Sequence, residues 1–119
     1  RDADRLAVHE IAARLRRLVA DARAGRLRQA DLEGGTFTVS NLGRFGIDAF
    51  TPVLNLPQAG ILGVGRIRAE AVVRDGRIEA GWTLPLSLTF DHRVLDGAPA
   101  ARWLDQLRRS IADLAQDAD

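Results

Sequence analysis

The sequence predicts an α/β fold in two layers, a mixed β-sheet flanked by helices. Three observations carry this prediction. Apolar residues recur with helical spacing at both ends of the chain, over 5–24 and again beyond Pro99. Between them, short stretches alternate with a period of two. The clearest is Trp82–Phe90, where Trp82, Leu84, Leu86, Leu88 and Phe90 are apolar and Thr83, Pro85, Ser87 and Thr89 are not. Glycines and prolines punctuate those stretches, and the order helix, several strands, helix suits a two-layer arrangement.

The first helix is expected over 5–24. Val8, Ile11, Leu15, Leu18, Val19 and Ala22 make its apolar stripe, with Asp4 as N-cap and Gly25 as the C′ residue. His9 lies well round from that stripe and is expected in solvent. Arg26 to Leu32 reads as a polar connection with one helical turn, ended by Gly34-Gly35. Thr36–Leu42 alternates β-branched and aromatic residues and suits a strand, with Phe37 and Val39 on one face and Thr36, Thr38 and Ser40 on the other. A loop carrying Pro52 and Pro57 leads to a second strand over Ile61–Ile67.

Gly63 and Gly65 in that strand are not a dinucleotide fingerprint: Arg68 stands where the third glycine belongs, and no helix pattern follows. Close backbone approach or a bulge accounts for them. Asp75-Gly76 between Ala69–Arg74 and Arg77–Ala80 predicts a tight hairpin. The strand Trp82–Phe90 follows, with an edge or bulge at Pro85, which donates no ladder hydrogen bond. The last helix places Ala100, Leu104, Leu107, Ile111 and Leu114 on one stripe, with Pro99 in its first turn.

Composition narrows the possible functions. A chain of 119 residues that is 46% hydrophobic fits one globular domain or part of one. The formal charge of +1 comes from 17 basic and 16 acidic residues, and every basic residue is arginine. No basic stripe with interleaved aromatics supports nucleic-acid binding. The absence of cysteine excludes a cysteine nucleophile, a C-x-x-C site and disulfides, so any thiol chemistry must use a thiol that a substrate brings. No apolar run approaches the ~18 residues of a membrane span, and no signal-peptide pattern opens the chain. A cytoplasmic location without membrane contact is expected. The chain opens at Arg1 in a helical pattern and lacks Met, which predicts a piece of a longer protein.

The chemistry concentrates in D-H-R-V-L-D-G, Asp91–Gly97. If strand geometry persists past Phe90, His92 shares its face and reaches from a rigid strand end towards an apolar interior. An imidazole, with an unperturbed pKa of about 6.5, is suited to take a proton near neutral pH. It also suits a core histidine satisfied by backbone. Asp96 reads as the N-cap of the last helix or as a carboxylate that orients the His92 turn without touching the ring. Gly97 permits a tight turn or close backbone approach. Arg93 and Asp91 could pair with partners that the sequence does not identify, and solvated charge is the default for each. Asp91, His92 and Asp96 lack a nearby second histidine, so no metal site is expected. Ser40 does not sit in a G-x-S-x-G elbow. A hydrolase built on Ser40, His92 and Asp96 remains an alternative.

H-x-x-x-D-G at a strand-to-helix turn resembles the coenzyme A-dependent acyltransferases built like chloramphenicol acetyltransferase. More narrowly, the chain resembles the catalytic domain of the dihydrolipoyl acyltransferases of 2-oxo acid dehydrogenase complexes. G-G-T-F-T-V-S-N-L-G at Gly34–Gly43, F-T-P-V-L-N-L-P-Q-A-G-I-L-G-V-G at Phe50–Gly65 and L-P-L-S-L-T-F-D-H-R ending at Arg93 agree. Asp91 before His92, where chloramphenicol acetyltransferases usually carry a second histidine, favours the lipoyl family. The resemblance implies that residues 1–119 are the C-terminal part of one catalytic domain, without lipoyl and peripheral-subunit-binding domains.

It further implies acyl transfer between dihydrolipoamide and coenzyme A, with His92 as general base and Ser40 as hydroxyl donor to the oxyanion. A strand serine bonded to neighbouring backbone is the other reading of Ser40. Asp96 would orient the turn, and Asn41 and Gly97 would contact coenzyme A. Coenzyme A is implied as co-substrate and the lipoyl group as a passenger on a separate domain, with no metal. Implied partners are the decarboxylase and dihydrolipoyl dehydrogenase components and two further copies, in trimers that build a larger core. His92 of one chain would then face Ser40 of its neighbour. S-N-L-G at Ser40–Gly43 is closer to acetyl- or branched-chain-type enzymes than to succinyl-type ones. A catalytically incomplete assembly piece of the same protein is the other outcome.

Overall fold

The computed structural model describes residues 1–116. It divides into two compact units, Arg1–Gly35 and Thr36–Asp119. The first unit is helical. A 3₁₀ turn at Ala3–Arg5 precedes α1 (Val8–Arg23), and α2 (Gln29–Leu32) is a single turn. The helix therefore starts later than the spacing predicts, and Asp4 is not its cap. Leu6 and Ala7 are extended, and Glu10 reaches back to accept the Ala7 N–H at 2.8 Å. Its end is as expected. Gly25 takes a φ of 66°, the Arg26 N–H bonds Asp21 O at 2.8 Å and the Gly25 N–H bonds Ala22 O at 3.1 Å. Those two bonds make a Schellman motif, in which glycine carries the left-handed residue. His9 is exposed, as expected. Asp31 opens α2 by accepting from the Arg28 N–H at 3.2 Å and from its guanidinium at 3.0 Å.

The second unit holds β1 (Thr38–Asn41), β2 (Gly60–Val64), β3 (Arg68–Arg74), β4 (Arg77–Thr83), β5 (Leu86–Phe90) and α3 (Gly97–Gln116). One sheet is three-stranded in the order β1-β2-β5, parallel then antiparallel, so it is mixed as predicted. β3 and β4 form a separate hairpin. Asp75 and Gly76 both have positive φ, 50° and 75°, the I′ geometry that Asp-Gly favours.

The expected single strand Trp82–Phe90 is two strands in two sheets, split at Leu84-Pro85. Pro85 has no N–H to continue the β3 ladder, while its carbonyl accepts the Gly65 N–H at 2.9 Å and hands the chain to β2. Trp82, left on the hairpin, is 75% exposed. β2 likewise stops at Val64, short of the expected Ile67, because the backbone closes in at Gly65. A Cβ there would run into the Asp48 carbonyl, and one at Gly43 into the Gly65 carbonyl.

Register assigns the two faces of the sheet. Ser40, Gly63 and Ser87 form one row, and Thr38, Ile61 and Thr89 lie on the same face. The loop between β1 and β2 covers this face. Phe50 and Pro52 stand 3.1–3.3 Å from where a Gly63 Cβ would be, and the Thr38 hydroxyl bonds Gln58 Oε1 at 2.6 Å. Val39, Leu62 and Leu88 occupy the opposite face together with Phe90. There Phe37 lies against Gly60 and packs on Trp103 of α3, with ring centroids 5.5 Å apart. Ile61 and Leu62, one on each face, are buried, as are Ala100 of α3 and Pro52 of the covering loop.

Candidate active site

The turn between β5 and α3 is anchored at Asp91. Its N–H bonds Ala59 O at 2.9 Å, and its carbonyl accepts the N–H groups of Val94 at 2.9 Å and Leu95 at 3.1 Å. Its carboxylate accepts the Arg93 N–H at 2.9 Å and two guanidinium nitrogens, Nε at 2.9 Å and Nη2 at 2.7 Å. The side-chain and backbone hydrogen bonds from Arg93 hold the Asp91 carboxyl down at about 2. Asp91 and Arg93 are therefore partners of each other, not the separate solvated charges that the sequence suggests.

His92 sits between them. Its ring lies beside Phe90, centroids 5.6 Å apart, so it follows the Phe90 face as expected. It does not enter an apolar interior: the side chain is 72% exposed. The chain turns at Asp91 and carries the imidazole outward past the end of the sheet. Asp96 is the residue before α3, and its carbonyl accepts the Ala100 N–H at 3.2 Å, which fits the N-cap position. Its carboxylate, 85% exposed, places Oδ1 at 3.7 Å from His92 Nδ1. That is ion-pair distance but beyond a hydrogen bond, so Asp96 stands beside the ring without bonding it, as the orienting reading expects. Gly97 has neither a left-handed φ nor a neighbour within 4 Å of a Cβ position, so no tight turn or close approach requires it. The N-terminus of α3 is open at that point.

Ser40 lies elsewhere. It is half-buried in β1 beside Gly63, on the face opposite Phe90. The next residue, Asn41, uses its side-chain oxygen to accept the Gly43 N–H at 3.0 Å, closing the turn after β1. The structure thus brings His92 and Asp96 together and keeps Ser40 away from both. The Asp91–Arg93 pair is the feature the sequence reading missed. An Asp two residues before an Arg at a strand end, with a turn following, was its available signal. Asp91 is consumed by Arg93, and among the described residues no group of three or more His, Cys, Asp or Glu is arranged to hold a metal ion.

The fold and this turn define the class: a partial α/β domain of the chloramphenicol acetyltransferase-like type, with an exposed histidine at a strand-to-helix turn. The chain belongs to the 2-oxoacid dehydrogenases acyltransferase (catalytic domain) family, whose model matches residues 1–117. It is 45% identical over 113 residues to the dihydrolipoyllysine-residue acetyltransferase component of the pyruvate dehydrogenase complex of Bacillus subtilis, covering 95% of this chain and 26% of that protein.

The crystal structure of Azotobacter vinelandii dihydrolipoamide acetyltransferase superposes with a TM-score of 0.91 at 38% identity, covering 96% of this chain and 47% of that one. The cubic core of a pyruvate dehydrogenase multienzyme complex gives 0.89 at 39% identity, with 93% and 46% covered. The chain thus spans about a quarter of the length of this curated relative and under half of the solved chains. The Azotobacter work concerns a serine, a histidine and an asparagine in its catalytic mechanism, separated by 52 and then 4 positions. Ser40, His92 and Asp96 repeat both intervals, with aspartate in the third place. No helix among the described residues is long and apolar enough to cross a membrane.

Proposed function

We propose that this chain is the C-terminal part of an acyltransferase catalytic domain that moves an acyl group, acetyl or branched-chain, between dihydrolipoamide and coenzyme A. The observation that carries this reading is the imidazole of His92, presented to solvent from a backbone-anchored turn with a carboxylate beside Nδ1. The serine-to-histidine interval shared with the Azotobacter enzyme supports it.

In the direction that makes acyl-coenzyme A, His92 takes the proton of the coenzyme A thiol as its sulfur attacks the thioester carbonyl. The carbonyl oxygen becomes an oxyanion that the Ser40 hydroxyl stabilises by hydrogen bonding. Collapse breaks the bond to the lipoyl sulfur, and the imidazolium returns its proton to that sulfur. A positioned base contributes about 10²–10⁴ in rate and one oxyanion donor about 10²–10³. Asp96 orients the turn that carries the ring, while Asn41 and the open ground at Gly97 contact coenzyme A.

Because Ser40 and His92 lie apart in one chain, each site takes its histidine from one copy and its serine from another, in trimers that build a larger core. The relative that forms a cubic core supports this assembly. The decarboxylase and dihydrolipoyl dehydrogenase components of a cytoplasmic 2-oxo acid dehydrogenase complex are the partners, and the lipoyl group arrives on its own domain. His92→Ala in the full-length protein should lower acyl transfer at least about 10²-fold. Near-normal turnover by that variant ends the proposal, as does organophosphate labelling of Ser40 with thiol-independent hydrolysis.

A further inference from the structure

We propose that the Asp91–Arg93 pair is a positioning device for His92, fixing where the imidazole stands without touching it. The inference rests on the reading of His92 as the base. The His92 side chain is 72% exposed, with the Phe90 ring beside it and Asp96 Oδ1 at 3.7 Å from its Nδ1, beyond hydrogen-bond distance. Its placement therefore comes from the backbone on either side. Asp91 fixes that backbone from both directions. Upstream, its N–H ties the end of β5 to Ala59; downstream, its carbonyl closes the turn on Val94 and Leu95.

The carboxylate then closes a ring across residue 92. It accepts the Arg93 N–H and, from the same residue, the Nε and Nη2 fork. An aspartate bonding the N–H two residues on restricts the intervening φ and ψ, and the planar guanidinium adds a bidentate contact that a lysine would not reproduce. The Asp91 side chain is only 14% exposed, whereas Arg93 is 84% exposed, so the carboxylate sits at the protein surface boundary with the guanidinium outside it. Its carboxyl, depressed to about 2, keeps the clamp charged throughout the range where a histidine base works. Arg93 is thereby spoken for and is not a free guanidinium for a phosphate of coenzyme A.

The test uses the full-length assembled protein, measuring kcat, KM for both thiol substrates and the thermal midpoint. Asp91→Ala should lower kcat about tenfold to a hundredfold, since a displacement near 1 Å costs about that much. Both KM values should stay within about twofold, because substrate binding is not what a displaced base loses. Asp91→Asn, which still accepts the Arg93 N–H, should recover part of the loss. Arg93→Ala should follow the same pattern, a fall in kcat alone.

Wild-type kcat in Asp91→Ala overturns the inference. So does Arg93→Ala if it raises KM for coenzyme A with kcat intact, because the guanidinium is then an anion ligand. If Asp91→Ala does not fold, Asp91→Asn and Arg93→Ala decide by the same split. Unimpaired turnover by His92→Ala is a different result, and removes the base itself.

Discussion

Mixing the Ser40→Ala and His92→Ala variants tests whether the proposed catalytic groups come from different copies. Within one chain, Ser40, Gly63 and Ser87 share a row across the sheet, and Phe90 lies three residues further along β5. With strands about 4.8 Å apart and a rise of about 3.3 Å per residue, the Cα atoms of Ser40 and Phe90 are about 14 Å apart. Their side chains point to opposite faces, and His92 lies further out still. A base and an oxyanion donor must both come within about 3 Å of the atoms they serve. No rotamer closes that gap.

Ser40→Ala assemblies keep every imidazole, and His92→Ala assemblies keep every hydroxyl. Each alone should run at about 1% of wild type or below, from the loss of one donor or of the base. After the two are unfolded together in equal amounts and reassembled, a site is complete when its histidine comes from the first variant and its serine from the second. Random pairing makes that about a quarter of sites, whatever the order of the oligomer. Coenzyme A-dependent acyl transfer from acyl-dihydrolipoamide, followed at saturating substrate, should recover about 25% of wild-type turnover. A mixture no more active than the mean of its parents refutes the geometry, because two groups supplied by one chain leave no complete site in any mixture.

Other outcomes follow from the same packing. Gly65→Ala drives a Cβ into the Asp48 carbonyl, a backbone that cannot give way while Ile47 O takes the Arg66 N–H and the Asp48 carboxylate is paired with Arg66 and Arg68 at 2.8 Å. It should cost about 3 kcal/mol in chemical unfolding, and an unchanged midpoint contradicts it. Gly25→Ala meets no atom but inherits a φ of 66°, so α1 should lose about 1 kcal/mol; equal stability by urea titration would rule out the Schellman end.

Asp91 and Asp31 both fall from 3.8 to about 2 on folding, each held by arginine hydrogen bonds. Their stabilising contribution is therefore complete above 3.8 and is lost as pH falls from there through about 2. Carboxyl carbon NMR should show both midpoints near 2, and midpoints near 4 would mean that the arginine contacts are absent in solution.

Local patterns in the sequence carried most of the fold. The alternation within Thr36–Leu42, a strand over Thr38–Asn41 in the structure, the Asp75-Gly76 turn and the helix beyond Pro99 follow from neighbouring residues alone, although Ile111 and Leu114 of the expected stripe are exposed. The break at Pro85 was visible as a ladder defect but not as a change of sheet. Which strand receives the chain after Pro85 depends on the Gly65 N–H, which lies far away in sequence. The helix start was misplaced because Asp4 has the better capping side chain, yet Glu10 supplies its acceptor from inside the helix. At the site, His92 and its face were legible from periodicity, whereas its exposure was not. Periodicity assumes that the strand continues, and the Asp91 carbonyl instead bends the chain within two residues. The resemblance implies that Ser40 and His92 meet across two copies, and the register, which puts Ser40 on the face opposite Phe90, keeps them apart within one chain as that pairing requires.

On the proposed reading His92 is a base that serves two bulky thiol carriers in turn, and those two tasks make opposed demands. It must stay open enough for either sulfur to arrive, so it cannot be wedged into a core, yet its position must be repeatable at each turnover. Packing normally meets the second demand at the cost of the first. Here the backbone meets it: β5 is in register with β2 up to Phe90, and Asp91 then locks the next four residues while the ring itself stands in solvent. If the backbone does the positioning, loosening the ring's neighbour should matter less than loosening the clamp. Phe90→Leu keeps an apolar side chain against the ring and should change kcat by about threefold or less, whereas Asp91→Ala should cost about tenfold or more. Steady-state kinetics on the two variants, at matched thermal midpoints, decide between the accounts. The reverse order would mean that contact with the Phe90 ring, rather than the turn, holds the imidazole in place.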